Sequence, residues 1–227
     1  MAAPPEITCT NLSGKFVMCI QLQGLALTDR TKRQSKTLSD DVDSMLALQG
    51  LSWFTRKAVK LATVVLTIKE YKKDGLYHID IKSVASGLAS SQENRTLNWQ
   101  LNDHTDRIFG KVKGKSRMWK TGEFVMEGPA GSEEDAAFLR GETLKDGKTA
   151  SKYLDDEHVQ NWVQNVDGGE WIAEQTWGFE EVNGERRHTR RVVVWKNGKV
   201  ERARLVYDYK GPVEAEVDED EALAYEE

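Results

Sequence analysis

The sequence predicts an all-β protein, an up-and-down antiparallel β-barrel with a short helix-turn-helix lid and a partly helical insertion. Three observations carry this. A strand-like segment, SGKFVM, stands near the start, and a helical pair, SDDVDSMLALQGLSWFTRKAVKLA, follows it. From TVVLTIKEY onward apolar residues alternate with polar ones at a period of two, with tight turns between the segments. Short connections join antiparallel neighbours, because parallel strands need long crossovers. A small closed barrel either fills its interior with side chains or holds one small ligand.

The first strand is expected over 7–22, broken near Ser13 and Gly14. After the polar stretch TDRTKRQSKT, Ser39 is a candidate N-cap, with Asp40 and Asp41 in the first turn where the helix dipole favours carboxylates. Val42, Met45 and Leu46 share one helix face, and Gly50 ends that helix. Ser52 caps a second helix whose apolar stripe is Phe54, Ala58 and Leu61, so the lid spans about 39–61. Strands at 62–71 and 76–86 flank the turn dipeptide Asp74-Gly75, and strands at 95–101 and 107–119 follow. Late strands at 171–182, 187–195 and 199–209 are joined by Asn183-Gly184 and Asn197-Gly198, dipeptides that readily take the positive φ of a hairpin turn. Segment 120–169 loses the alternation. It reads as an insertion with one or two short helices, in SEEDAAFLRG and KYLDDEHVQNWVQNV, and a further strand at 123–127. A structureless loop of that length would be unusual in a compact domain.

Composition narrows the function classes. No apolar run approaches the ~18 residues of a membrane span, and MAAPPEITCT lacks the basic-then-apolar pattern of a secretory leader. A cytoplasmic location without membrane insertion is therefore expected. Cys9 and Cys19 are too far apart along one strand to bridge and read as reduced thiols. The net charge is −5, but eight carboxylates and no basic residue fall in 211–227. The remainder is mildly basic, so the chain divides into a barrel domain over 1–210 and an acidic, disordered tail over 211–227. Lys111, Lys113 and Lys115 make only a small basic stripe, and no nucleic-acid partner is expected. No pattern bears on oligomeric state.

Alternation assigns the side chains that face inward. On 76–86 they are Tyr77, Ile79 and Ile81; on 95–101, Leu97, Trp99 and Leu101; on 171–182, Trp171, Ala173, Gln175, Trp177 and Phe179. On 199–209 they include Leu205, Tyr207 and Tyr209, and on 187–195 the face with Val192 and Val194 also carries His188 and Arg190. An apolar interior with a few oriented polar groups is what a small-molecule pocket needs. The candidate ligand-binding residues are Tyr77, Trp99, Gln175, Trp177, Arg190 and Tyr207; the candidate catalytic residues are His188, Arg190 and Tyr207. The competing reading is an ordinary aromatic core with Arg190 at a barrel rim. His78 and Asp80 read as a solvated outward pair, and His104 and His158 as loop residues. No cluster has metal-ligand spacing and no glycine-rich loop has the context of a phosphate cradle, so no cofactor is expected.

The segments SGKF, LALQGLSWFTRKAVKLA, TVVLTIKEYKKDGLYHIDIKS, NRTLNWQLND and WGFEEVNGERRHTRRVVVWKNGK, in that order, resemble the cytosolic fatty-acid-binding protein family within the calycins. The resemblance covers about two-thirds of the chain and implies a calycin-like, lipocalin-like barrel with a helical lid and a hydrophobic ligand. The chain also resembles a fungal group of such barrels associated with secondary metabolism. The family's last strand carries Arg-x-Tyr, which holds a fatty-acid carboxylate. Here Tyr207 matches, but Arg204 is one residue out of phase, and one residue places a strand side chain on the opposite face.

Two functions compete for one cavity. The leading one is binding of a hydrophobic or aromatic small molecule. The alternative is a cofactor-independent cyclase or isomerase acting on a secondary-metabolite intermediate, which would hold one reactive conformer and stabilise developing charge. A third, lesser reading is a structural module whose acidic tail recruits a partner.

Overall fold

The computed structural model describes residues 1–19, 38–86, 89–129 and 132–213. The acidic run from 214 onward, and the polar stretch before Leu38, lie outside the described residues. Among the described residues the chain forms β1 (Gly14–Met18), α1 (Asp43–Leu48), α2 (Trp53–Leu61), β2 (Val64–Lys73), β3 (Leu76–Ala85), β4 (Ala89–Thr96), β5 (Asn102–Asp106) and β6 (Gly110–Lys120). Then come α3 (Glu133–Leu139), β7 (Glu157–Asn165), β8 (Ile172–Val182), β9 (Glu185–Lys196) and β10 (Lys199–Tyr209). The strands make one antiparallel sheet in the order β4-β3-β2-β1-β10-β9-β8-β7-β6-β5. The sheet curls into a nearly closed barrel: across the β4–β5 seam Trp99 N–H still donates to the Ser116 carbonyl, at 2.8 Å. This is the calycin-like fold. No helix among the described residues is long and apolar enough to cross a membrane.

Hairpin chemistry sets much of the register. Asp74, Asn183 and Asn197 take φ between 51° and 52°, each followed by a positive-φ glycine, as two-residue turns with a right-handed twist require. The α2 start is also as expected, with Ser52 Oγ accepting the Thr55 N–H at 3.2 Å.

Several elements differ from expectation. Of the strand placed at 7–22, residues 20–22 lie outside the described residues, and among the described ones only Gly14–Met18 is strand. Residues before it turn back, with Thr8 bridging Asn11, and bury Ala3, Ile7, Cys9 and Leu12 as a plug at the base of the barrel. Ser39 does not cap α1; its hydroxyl is spent on the backbone of Val206 in β10, accepting at 2.9 Å and donating at 3.3 Å. Asp41 Oδ1 takes the Asp43 N–H instead. The α2 stripe is not core: Phe54 is 78% and Leu61 62% exposed. The strand placed at 107–119 is β6, which begins at Gly110, and a strand not expected from the sequence, β5, precedes it; Asp106 Oδ1 accepts the N–H groups of Ile108 and Phe109 and closes the turn between them. His104 lies in β5 and His158 in β7, not in loops.

The insertion is shorter than its sequence suggested. KYLDDEHVQNWVQNV is not helical: it contains β7, a barrel strand. Among the described residues only α3 and irregular chain lie between β6 and β7, and 123–127 forms no strand. Ser132 opens α3 with a capping box to Asp135. Phe138 and Leu139 of α3 pack on Val193 and Trp195 of β9, so this segment covers the outer face of the barrel wall. Tyr153 lies so close to β8 that a Cβ at Gly178 would sit 2.4 Å from its ring.

Candidate active site

The interior is divided in two. Toward the base, Phe16, Ile68, Ile79, Ile81, Val159 and Phe179 are all buried and pack with the N-terminal plug. Toward the lid the barrel is hollow. A cavity of about 260 Å³ lies between α1 and the strands β4–β9, with Met45, Leu46, Val192 and Leu205 among its apolar lining. A second hollow of about 170 Å³ beneath α1 and α2 shares Leu46, Val59, Asp106 and Phe109 with it. A third, of about 120 Å³, follows the open seam between β4 and β5 and shares Glu93, Arg95 and His104. The lid helices thus roof adjoining hollows, one of which lies along the β4–β5 seam.

One wall of the main cavity is polar. Glu93 and Arg95 of β4, Asn161 of β7 and Gln175 of β8 line it. Arg95 is ion-paired with Glu93, and its Nη1 donates to Asn161 Oδ1 at 2.7 Å. Ser116 Oγ donates to the same oxygen at 3.3 Å. The Arg95 guanidinium holds the Glu93 carboxyl below its usual range. Gln175 stands opposite Asn161 in register, and its Oε1 accepts the Trp177 Nε1–H at 3.2 Å.

Behind this wall lies a deeper cluster. The Arg190 guanidinium stacks 3.9 Å from the centre of the Trp177 ring and 5.4 Å from that of Tyr207. Arg190 Nε donates to His188 Nε2 at 3.3 Å, and the Gly178 carbonyl accepts from His188 Nδ1 at 3.2 Å. Those two contacts require a neutral imidazole with its proton on Nδ1. Burial and the adjacent Arg190 charge push the His188 pKa well below its ordinary value. Burial also lowers the Arg190 pKa, and Nη2 of this residue has no partner.

The structure therefore brings together five of the seven residues singled out from the sequence. His188, Arg190, Trp177 and Tyr207 form one buried cluster, and Gln175 links it to the cavity. Tyr77 lies lower, against the base core and under the Lys72 ammonium. Trp99 is elsewhere. The chain turns after Leu97, Trp99 adopts φ 58°, and its ring sits between Lys115 at 4.3 Å and Arg117 at 4.1 Å rather than in the cavity. Leu101, on the same expected face, is 58% exposed. Arg204 points outward to Glu180 while Leu205 and Tyr207 pack inside, as the phase of the last strand requires.

Two curated proteins align with most of the chain. The probable pericyclase scpY of Mollisia scopiformis is 33% identical over 181 residues, covering 78% of this chain and 87% of that protein. The pericyclase pydY of an Acremonium species is 30% identical over 178 residues, covering 77% and 87%. The chain belongs to this pericyclase family. No family model matches it. Among solved structures, apo lipid binding protein 8 of Caenorhabditis elegans superposes with a TM-score of 0.51 at 10% identity, covering 92% of this chain and 99% of that one, which shows the shared barrel fold.

In this member of the pericyclase family, sequence reasoning missed Glu93, Arg95, Asn161 and Ser116. The signal was present for Arg95, since the alternation that turns Leu97 inward also turns Arg95 inward. For Asn161 it was masked, because the strand that carries it, EHVQNWVQN, interrupts its apolar period with amides. Among the described residues no group of three His, Cys, Asp or Glu side chains is placed to hold a metal ion.

Proposed function

We propose that the protein is a pericyclase: it binds a flexible, largely apolar acyclic substrate in the lid-side cavity and guides its rearrangement to a ring. The relatives' names support the reaction class. The observation that carries the reading is the cavity itself, hollow beneath the lid and lined by one apolar and one polar wall. A pericyclic step moves electron pairs around a closed ring of atoms, so nothing is oxidised and no group leaves. What a protein can supply is a folded conformer, the exclusion of water and donors where charge builds up. Confining a chain with many rotors to one reactive geometry removes much of the entropic part of the barrier. Met45, Leu46, Val192 and Leu205 give the non-directional surface for that. Oriented donors add electrostatic stabilisation in a site of low polarity.

In this reading Gln175 contacts the substrate, and Trp177, Arg190, His188 and Tyr207 support it from behind. Arg190 lies flat on Trp177, and Trp177 holds Oε1 of Gln175, which lines the cavity. Arg190 is then a positioning residue whose charge biases the wall toward electron-rich oxygen. The unpaired thiols of Cys9 and Cys19 fit a cytoplasmic, reducing location.

The test is to incubate the purified protein with a linear conjugated polyene that also carries an electron-poor alkene. The expected result is a product of unchanged mass that has lost polyene absorbance and forms as one stereoisomer. A ligand that binds and is recovered unchanged, across a panel of such chains, would leave the barrel as a carrier. That second reading is favoured by the barrel's side opening along the β4–β5 seam, which suits a site that loads and unloads.

A further inference from the structure

We propose that Arg95 and Asn161 form a two-donor cradle for a neutral carbonyl oxygen of the substrate, and that Glu93 is a positioning residue that turns carboxylates away. The inference rests on the pericyclase reading of the cavity and narrows its substrate class.

The geometry begins with what is already engaged. Arg95 spends Nη2 on Glu93 and Nη1 on Asn161 Oδ1 and, at 3.4 Å, on Ser116 Oγ. Its Nε has no partner. Asn161 is fully buried, and its Oδ1 takes two donors, one from Arg95 and one from Ser116. With the oxygen engaged twice, the network fixes the amide orientation and leaves Nδ2 as the free end. Nδ2 also has no partner. Both side chains line the cavity, and they are joined by the 2.7 Å bond between them. A buried donor without an acceptor is costly to keep, and a ligand oxygen that reaches these two removes that cost.

Charge selects which oxygen. Glu93 already balances Arg95 and lines the same wall. A substrate carboxylate placed on the cradle would meet a second carboxylate, whereas a ketone, aldehyde or amide oxygen would not. Chemistry favours the same choice. A carbonyl conjugated to an alkene, once hydrogen-bonded, draws electron density from that alkene and makes it a better partner for an electron-rich diene. As the two new carbon–carbon σ bonds form, three π pairs reorganise in a closed ring, and the carbonyl oxygen carries more negative charge than before. Donors that strengthen with that charge stabilise the transition state over the ground state. No proton leaves and no oxidant is needed.

The test uses three probes of equal chain length: a conjugated polyene ketone, the hydrocarbon with CH₂ in place of C=O, and the corresponding carboxylate. Affinity is read by tryptophan quenching, and the state of the bound carbonyl by its infrared stretch. Expected are roughly tenfold tighter binding of the ketone than of the hydrocarbon, a stretch lowered on binding, and no preference for the carboxylate. Asn161→Leu and Arg95→Lys, the latter keeping charge but losing Nε, should bring the ketone-to-hydrocarbon ratio toward one and return the stretch to its free value. Equal binding of ketone and hydrocarbon to the native protein, with an unshifted stretch, overturns the cradle whether or not the variants fold. A preference for the carboxylate overturns it in favour of an anion site. If no probe enters, the cavity reading fails as well, which is a separable result.

Discussion

Arg190 and Arg191 are neighbours in β9, both are buried, and they face opposite sides of one barrel wall. On the outer side Arg191 makes two hydrogen bonds to Glu180, at 2.9 and 2.8 Å, and donates to the carbonyls of Phe138 and Thr143 and to Ser151 Oγ. Glu180 in turn accepts from Thr189 and Arg204. Burial alone would raise the Glu180 pKa, but Arg191 and Arg204 overcome it and hold the carboxyl below its ordinary value. On the inner side Arg190 has a stacked indole, one bond to a histidine and an unpartnered Nη2. The same residue type at similar depth is saturated where the insertion must be pinned to the barrel and left unsatisfied where the cavity lies. Unpaired donors at Arg95 and Asn161 repeat the pattern around the hollow. Around the hollow, incomplete pairing leaves donors available to a ligand, although orphaned groups such as His158 Nδ1 and Arg186 Nε also occur away from it.

The largest expected effect follows from that contrast. Arg191→Met should lower the unfolding free energy by ~3–5 kcal/mol in denaturant titration, because it strips most of the compensation from a buried carboxylate. Arg190→Met should change it by less than about 1 kcal/mol, since a methionine still covers Trp177 and an unpaired buried charge is removed. Equal losses in the two variants would break the comparison.

The wall itself was legible in the sequence, but its pairing was not. Period-two alternation turned Gln175, Trp177, His188, Arg190 and Tyr207 to one face, because successive strand side chains point to opposite sides of the sheet. The Asn-Gly turns located the late hairpins for equally local reasons. Alternation ends where a strand ends, however, and Trp99 was assigned inward from a strand that stops at Thr96. Ser39 has the chemistry of a cap, yet a tertiary bond to β10 claims its hydroxyl. Phe54 and Leu61 sit at helical spacing, but nothing local says whether a stripe has a wall to lie on. Asn161 belongs to the polar wall because two side chains remote in sequence converge on its oxygen, and no window of the chain displays that convergence.

Histidine behaves alike on the two sides, which sharpens the comparison to charge. His188 inside and His158 outside are both fully buried, and burial lowers both pKa values, that of His158 to about 4. Each binds fewer protons folded than unfolded, so the stability it permits is full above about pH 6.5, the unfolded value, and is lost as pH falls toward the folded one. Between pH 6.5 and 5 His158 should cost up to ~2 kcal/mol, and His188 should act in the same direction. Unfolding free energies over that interval should fall with acid, and His158→Phe should make the fall shallower. An unchanged slope would mean that the outer histidine already titrates normally.

Glu70 is the acidic counterpart of Arg190, since it is half-buried beneath the barrel with one carboxylate oxygen unpartnered. Its other oxygen accepts the Leu12 N–H at 2.8 Å and ties the N-terminal plug to β2. Burial raises its pKa to about 7, and the Leu12 bond offsets only part of that. A raised carboxyl binds more protons folded than unfolded. Its stabilising contribution is therefore full below about pH 4.3, the unfolded value, and is lost as pH rises through about 7. Glu70→Gln should stabilise the protein at pH 8 by roughly 1 kcal/mol after solvent screening, because the neutral amide retains an acceptor for Leu12 and carries no charge to bury. It should also steepen the acid loss between pH 7 and 5, since protonation of Glu70 otherwise counters the histidines over that range. Paired melting curves of the native protein and E70Q at pH 5, 7 and 8 decide it. A variant less stable at pH 8 would mean that the Glu70 charge is paired within the plug, and Glu70 would then no longer stand as the counterpart of Arg190.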